Sequence, residues 1–273
     1  MKNKEKGKFI TKGDLTYVTF APWEDSDMIH GFTTRYGGVS KEHLTSLNLG
    51  FNRGDDEDNV FENYSRVCAA LGVDRDSLVL SKQVHETNIT KVTKEHRGNG
   101  INFSNIFESV DGIYTTEKDI TLVTHYADCV PLFFYAPKHE IIGMAHAGWR
   151  GTVGEIGRKM IECWVEEEGI TPEDIQVVIG PSIGPCCFEV GDEVVSEFIT
   201  KFNEPSYITF NEETNKHHIN LWECNAKILK DAKVPEENII QTNLCTCCNS
   251  NIFFSHRKSK GQRGTMAGFM CLK

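Results

Sequence analysis

Three side chains of this 273-residue chain are of types that hold a borderline-soft metal or carry nucleophilic chemistry. They are His85 in Gln83-Val84-His85, Cys129 in Ala127-Asp128-Cys129, and His146 in Ala145-His146-Ala147-Gly148. Each stands at or beside the end of an apolar, strand-like run. Two imidazoles and a thiolate suit tetrahedral zinc, and three protein ligands leave a fourth position for water or substrate, as catalytic rather than structural sites do. The spacing alone does not select a metal, because strong zinc signals are short paired motifs and this set is long-range. Two other readings stay open on the residues themselves. One is two hydrogen-bonded core histidines with a core cysteine. The other is a cysteine hydrolase with Cys129 as nucleophile, His146 or His85 as base and Asp128 as orienting carboxylate.

Anion-binding candidates accompany this set. Arg150 lies in the glycine turn Gly148 to Gly151, where a strand ends and a helix begins near Thr152, and exposed backbone N–H groups at such a turn can seat an anion. Arg257, Lys258, Lys260 and Arg263 reverse the charge locally in an acidic chain, and Arg35 stands beside the turn Tyr36-Gly37-Gly38. Gln83 is a candidate substrate-contacting group. Cys245, Cys247 and Cys248, or Cys186 and Cys187 with His217 and His218, are candidates for a second metal site, against core packing as the ordinary fate of cysteine.

Lys and Arg total 29 against 39 Asp and Glu, so nucleic acid is not expected as a partner: neutralising phosphates needs a basic face. No run approaches the roughly 18 apolar residues of a membrane span, and the basic start MKNKEKGKFI lacks a signal-like apolar stretch. With 10 cysteines and no secretory signal, free thiols and a cytoplasmic location are expected.

Around these residues the elements must form a support. LTYVTF and MIHGFTTR read as strands, and the segment after the acidic loop NLGFNRGDDED reads as a helix with Val60, Tyr64, Val67, Ala70 and Leu71 on one face, closed by Gly72. SLVLSKQVHETNITKV predicts a strand pair around Gln83 to His85, and residues 92–110 a long loop over the centre, placed as a lid would be. DGIYTTEKDITLVTHYADCVPLFFYAP and EIIGMAHAGW continue a strand-rich centre. TVGEIGRKMIECWVEEEG, VGDEVVSEFITKF and WECNAKILKDA predict helices, and NIFFSHRKSKGQRGTMAGFMCL reads as strand-like. The expectation is one α+β domain, residues 1–273, with mixed β-sheets flanked by helices, residues 1–15 being a polar N-terminal extension.

The segments HGFTTRYGGVS, SLNLG, GDD, QVH, DGIYTT, ADCVPLFFY, AHAGWRGT, IGPSIGPCCFEVG and FFSHRKSKGQRGTMA, in that order, resemble the bacterial YlmD/YfiH-type family, also called the polyphenol oxidase or laccase-domain family, with the mammalian relative FAMIN. The resemblance runs from about residue 28 to the C-terminus. It implies a purine nucleoside phosphorylase that splits adenosine, inosine, guanosine and methylthioadenosine with phosphate and also deaminates adenosine. It also implies zinc on His85, Cys129 and His146, with copper as the alternative ion. On this reading Arg150 with its glycine turn positions phosphate, assisted by Arg257 or Arg263; Asp128 orients His146 or relays a proton; and Gln83 and Arg35 are candidate substrate contacts. Similar proteins carry Tyr and Arg where this chain has His256 and Lys258, which leaves Arg257 and Arg263 as the anion candidates of that segment. Laccase chemistry itself is disfavoured because no His-x-His pair occurs. An interaction module with a structural zinc is the non-enzyme rival. A monomer or small homo-oligomer is expected.

Overall fold

The computed structural model describes residues 6–202 and 205–273. In chain order the first half holds β1 (Gly7–Lys12), β2 (Leu15–Phe20), β3 (Met28–Thr33), α1 (Glu57–Leu71), β4 (Leu78–Leu80), β5 (Ile89–Lys91), β6 (Gly112–Thr115), β7 (Thr121–Tyr126) and β8 (Val130–Ala136). The second half holds β9 (Ile141–Ala147), α2 (Trp149–Val153), α3 (Ile156–Glu168), β10 (Gln176–Ile179), β11 (Glu189–Val190), α4 (Asp192–Phe202), β12 (Ile208–Asn211), β13 (Lys216–Ile219), α5 (Leu221–Asp231), β14 (Ile239–Gln241), α6 (His256–Ser259) and β15 (Met266–Leu272). Two six-stranded mixed sheets run β1-β2-β3-β15-β7-β4 and β14-β10-β8-β9-β6-β5, and β11-β13-β12 form a small third sheet. The fold is α+β.

The central strands are apolar on both faces because both faces are covered. On β8, Val130, Leu132, Phe134 and Ala136 pack toward Ile156, Met160, Trp164 and Leu229 of α3 and α5. Phe133 and Tyr135 point the other way, into a layer shared with Phe20, Phe32, Leu122, Tyr126 and Met270 of the first sheet. Alternation on β9 puts Ile142 and Met144 in that inter-sheet layer, and therefore His146 at its end. The outer face of the first sheet is covered by α1, through Val60, Tyr64, Val67 and Ala70. Asp56 caps this helix by accepting from the Asp58 N–H, and Gly72 ends it at φ 77°, a conformation that favours glycine.

Four sequence expectations change. Within the stretch read as a polar extension, Gly7–Lys12 is an edge strand paired antiparallel with β2; Lys8, Thr11 and Lys12 face water there while Ile10 packs against the α1 layer, and residues 1–5 lie outside the described residues. The two strands expected around Gln83 do not pair with each other: β4 runs parallel to β7 in one sheet and β5 parallel to β6 in the other, so residues 81–88 bridge the sheets. The helix expected from Thr152 is two helices, separated at Glu155 (φ 56°). Of the C-terminal segment only Met266–Leu272 is strand; the basic run forms the short α6, capped by Ser255. Among the described residues no helix is long and apolar enough to cross a membrane.

One core histidine makes the fold acid-sensitive. His30 is buried, stacks on Phe20 and accepts the Phe20 N–H at 2.9 Å. Burial lowers its pKa from the ordinary 6.5 to about 4, opposed by its backbone contacts. The unfolded chain therefore binds a proton that the fold resists, so stability is full above pH 6.5 and falls as pH drops toward 4, by about 3 kcal/mol at most. Urea midpoints measured across this window are expected to fall less steeply in His30→Gln than in the parent chain.

Candidate active site

Asp111, immediately before β6 and fully buried, organises the site. Its Oδ2 accepts the backbone N–H groups of Val84 and Glu86 and its Oδ1 that of His85, all at 3.0 Å. The same carboxylate meets His146 Nδ1 at 2.8 Å, and its carbonyl accepts the His146 N–H. One buried acid thus folds the 84–86 loop, holding His85 at φ 67°, and fixes the His146 ring. A carboxylate on Nδ1 makes that nitrogen the N–H and leaves Nε2 free to face the other ligand candidates. Burial raises the Asp111 pKa, but the hydrogen bonds from His146 and from the Val84 and Glu86 backbone outweigh it, so the carboxyl stays ionised below the usual carboxylate range.

Cys129 enters from the turn before β8 and His146 from the neighbouring strand, where Pro131 pairs with His146. Burial raises the Cys129 thiol, yet His146 and then His85 overcome it and bring it down to about 6. His146 moves the opposite way: burial lowers it, and Cys129 and Asp111 raise it to about 9. The two shifts run in opposite directions because the thiol and the imidazole face each other. The rings of His85 and His146 stand edge to face, with centroids 4.8 Å apart. Ligand atoms of His85, Cys129 and His146 all lie within 4.8 Å of one another.

Gly148 is the floor on which they converge. A Cβ there would stand 3.2 Å from Cys129 Sγ, 3.4 Å from His85 Cδ2 and 3.7 Å from His146 Cε1. Its backbone, at φ −59°, suits any residue, so its glycine identity reflects space rather than strain. Gly148→Ala is therefore expected to cost little stability but to displace Cys129 and cut turnover about ten- to hundred-fold, read by steady-state kinetics beside thermal melting.

The three side chains open into a cavity of about 420 Å³, within the range of small-molecule sites. Its lining includes Arg53, Lys82 and Arg263 and no carboxylate, in a chain with an excess of acids. Arg53 Nε and Arg263 Nη1 both donate to Thr265 Oγ1, at 3.3 and 2.8 Å. Burial, then the neighbouring Arg53 charge, lowers the Arg263 pKa to about 10, and its Nε is buried with no hydrogen-bond partner among the described residues. Phe51 and Phe103 supply apolar walls; Phe51 stacks on Tyr64, while Phe103 is 45% exposed in the 92–110 loop. His125 also lines it, with Nε2 2.6 Å from Tyr64 Oη; burial lowers its pKa to about 4, so it is neutral.

The family model described as multi-copper polyphenol oxidoreductase laccase matches residues 29–273. This chain belongs to that laccase-domain family. It is 41% identical over 244 residues to the purine nucleoside phosphorylase YlmD of Geobacillus stearothermophilus, covering 89% of each chain. It is 38% identical over 251 residues to that of Bacillus subtilis, covering 91% of this chain and 90% of the relative. The crystal structure of the Geobacillus YlmD superposes with a TM-score of 0.90 at 38% identity, covering 97% of this chain and 98% of that one.

The remaining anion and orienting candidates of this laccase-domain chain fall outside the cavity or are spoken for. Arg35 donates to the carbonyls of Thr45 and Ser250 and lies over Phe254. Arg150 is exposed, stacks on Trp149 at 4.2 Å and does not line the cavity. Arg257 donates to the Cys187 carbonyl at 2.9 Å. Asp128 (φ 87°) does not touch His146; its carboxylate accepts from Thr246 Oγ1, Ser255 Oγ and the Arg257 N–H, at 2.6, 3.0 and 2.7 Å, and so shapes the turn carrying Cys129. Gln83 lines the cavity, but its amide closes two 2.8 Å hydrogen bonds with the His125 backbone, pinning the 81–88 bridge to β7. Asp111, Arg53 and His125 were missed by sequence reasoning. Asp111 had one available signal, an Asp-Gly pair opening a strand in DGIYTT.

Proposed function

We propose that the chain is a zinc-dependent purine nucleoside phosphorylase that cleaves adenosine, inosine, guanosine and methylthioadenosine with phosphate and also deaminates adenosine. One observation carries the reading: the His85, Cys129 and His146 cluster opens into a cavity lined by cations and without a carboxylate. Relatives named purine nucleoside phosphorylase support it. The donor set fits a tetrahedral ion, with one ionised thiolate, two imidazoles, a carboxylate orienting His146 and an open side toward the cavity. The family description mentions copper, but the two ligand groups among the described residues hold only His85 and His146 as histidines, too few for a multicopper centre.

When bound, zinc supplies Lewis acidity and the activation of water that deamination needs. The chain's own residues do the rest. Arg53 and Arg263 hold phosphate, whose charge relieves their mutual repulsion. Phe51 and Phe103 sandwich or flank the purine, and neutral His125 offers it a hydrogen bond. The 92–110 loop screens the site from water, with Asn99 and Asn105 tying it to the Leu80 carbonyl. Holding phosphate and nucleoside together lowers the barrier to attack at the anomeric carbon as the glycosidic bond loosens.

The ten cysteines are all free, as suits a single-domain cytoplasmic enzyme working as a monomer or small homo-oligomer. Incubation with adenosine and phosphate is expected to give adenine and ribose 1-phosphate; omitting phosphate should leave inosine as the only product. Absence of both products refutes the reading. Arg263→Met is expected to raise the KM for phosphate by about ten-fold or more while deamination survives.

A further inference from the structure

Four thiols meet on a second face of the molecule. The turn after β10 brings Cys186 and Cys187, and the loop before α6 brings Cys245 and Cys248, with all four Sγ atoms within 4.8 Å of one another. Cys248 Sγ is 3.4 Å from each of Cys186 and Cys187. Four thiolates at about 2.3 Å from one zinc form a tetrahedron with edges of about 3.8 Å, which this set approaches without rearrangement. A four-iron cluster places each thiolate on a different iron and needs them farther apart. A disulfide pairs sulfurs one to one at about 2.05 Å, whereas Cys248 stands equidistant from two partners.

The backbone is already arranged for thiolate ligands. Cys245 Sγ accepts the N–H of Cys248 at 3.4 Å, the hydrogen bond across a Cys-x-x-Cys arm, and the N–H of Gly184 at 3.2 Å from the opposite segment. Cys186 and Cys248 are exposed, which gives an ion a path in, and Cys245 is buried beneath them. Of the second-site candidates read from sequence, Cys247, His217 and His218 do not join the group; His218 Nδ1 bonds the Pro185 carbonyl instead.

We propose that Cys186, Cys187, Cys245 and Cys248 bind one structural zinc ion, separate from the His85, Cys129 and His146 cluster. Its role is to staple two loops that support the active site. Those loops are joined at Ser182 by backbone bonds with Leu244 and Thr246, Thr246 holds the Asp128 carboxylate, and Arg257 is anchored on the Cys187 carbonyl. Binding releases the remaining thiol protons to solvent and changes no oxidation state.

The test is zinc content of the full chain purified without chelator, in the Cys129→Ala background so that the count does not depend on the first site. That background is expected to retain one zinc per chain, and addition of either Cys248→Ser or Cys186→Ser to remove it and lower the melting temperature. Cobalt exchanged into the Cys129→Ala chain is expected to show the strong visible absorption of tetrahedral thiolate-bound cobalt, absent once Cys248 is replaced. Equal zinc in the background and in a folded Cys248→Ser chain overturns the proposal. So does iron in place of zinc, or an intact mass showing a disulfide among the four thiols of the freshly purified protein.

Discussion

Cys129→Ala is expected to abolish phosphorolysis, by about a thousand-fold or more, and to empty the cluster of zinc while the chain stays folded. The residue sits in the turn before β8, half-buried, with its thiolate stabilised by His146 and His85. Its removal leaves two imidazoles, and two nitrogen donors do not retain zinc against solvent. Packing changes little, because an alanine methyl still covers the end of the inter-sheet layer. Zinc content, activity and a melting curve on one preparation check this. The experiment also separates the rival in which Cys129 is a nucleophile: that enzyme works without metal and is unmoved by a chelator, whereas this one stops.

Asp111→Asn is expected to cost about a hundred-fold in activity, about ten- to hundred-fold in zinc affinity, and several kcal/mol of stability. The substitution keeps the shape and removes the charge. Three backbone N–H groups and His146 Nδ1 currently share two carboxylate oxygens; an amide offers one oxygen and presents an NH2 to one of those donors. His146 then loses the partner that fixes its tautomer, and the 84–86 loop loses the anchor that holds His85 at positive φ. Calorimetric zinc titration and steady-state kinetics are expected to show both losses together. A drop in stability with unchanged zinc affinity would assign Asp111 to the loop alone.

Much of the support for this site was legible in the sequence. The apolar runs of β8 and β9 announce strands covered on both faces, and α1 declares its buried stripe and its Gly72 stop. What sequence does not carry is closure between distant segments. Asp111 reads as an ordinary turn acid until the 84–86 backbone folds onto it, because nothing local to DGIYTT states which N–H groups it will serve. Gln83 to His85 reads as strand through Val84, although residues 81–88 must cross from one sheet to the other and so cannot stay extended. Asp128 stands beside a ligand in sequence but turns away from it at φ 87°, while Arg53, hidden in an acidic loop, turns in beside Arg263. The four-thiol group shows the same limit: Cys245-x-x-Cys248 has a metal-like spacing, but its partners Cys186 and Cys187 lie 62 and 61 residues before Cys248 in the chain.

On the proposed reading, turnover follows metal at His85, Cys129 and His146. Chelator-stripped chain, titrated with zinc in the presence of adenosine and phosphate, is expected to release adenine at a rate proportional to the zinc bound there, with no release in the Cys129→Ala chain at any zinc level. Full phosphorolysis by the stripped protein, or adenine release by Cys129→Ala, would contradict it.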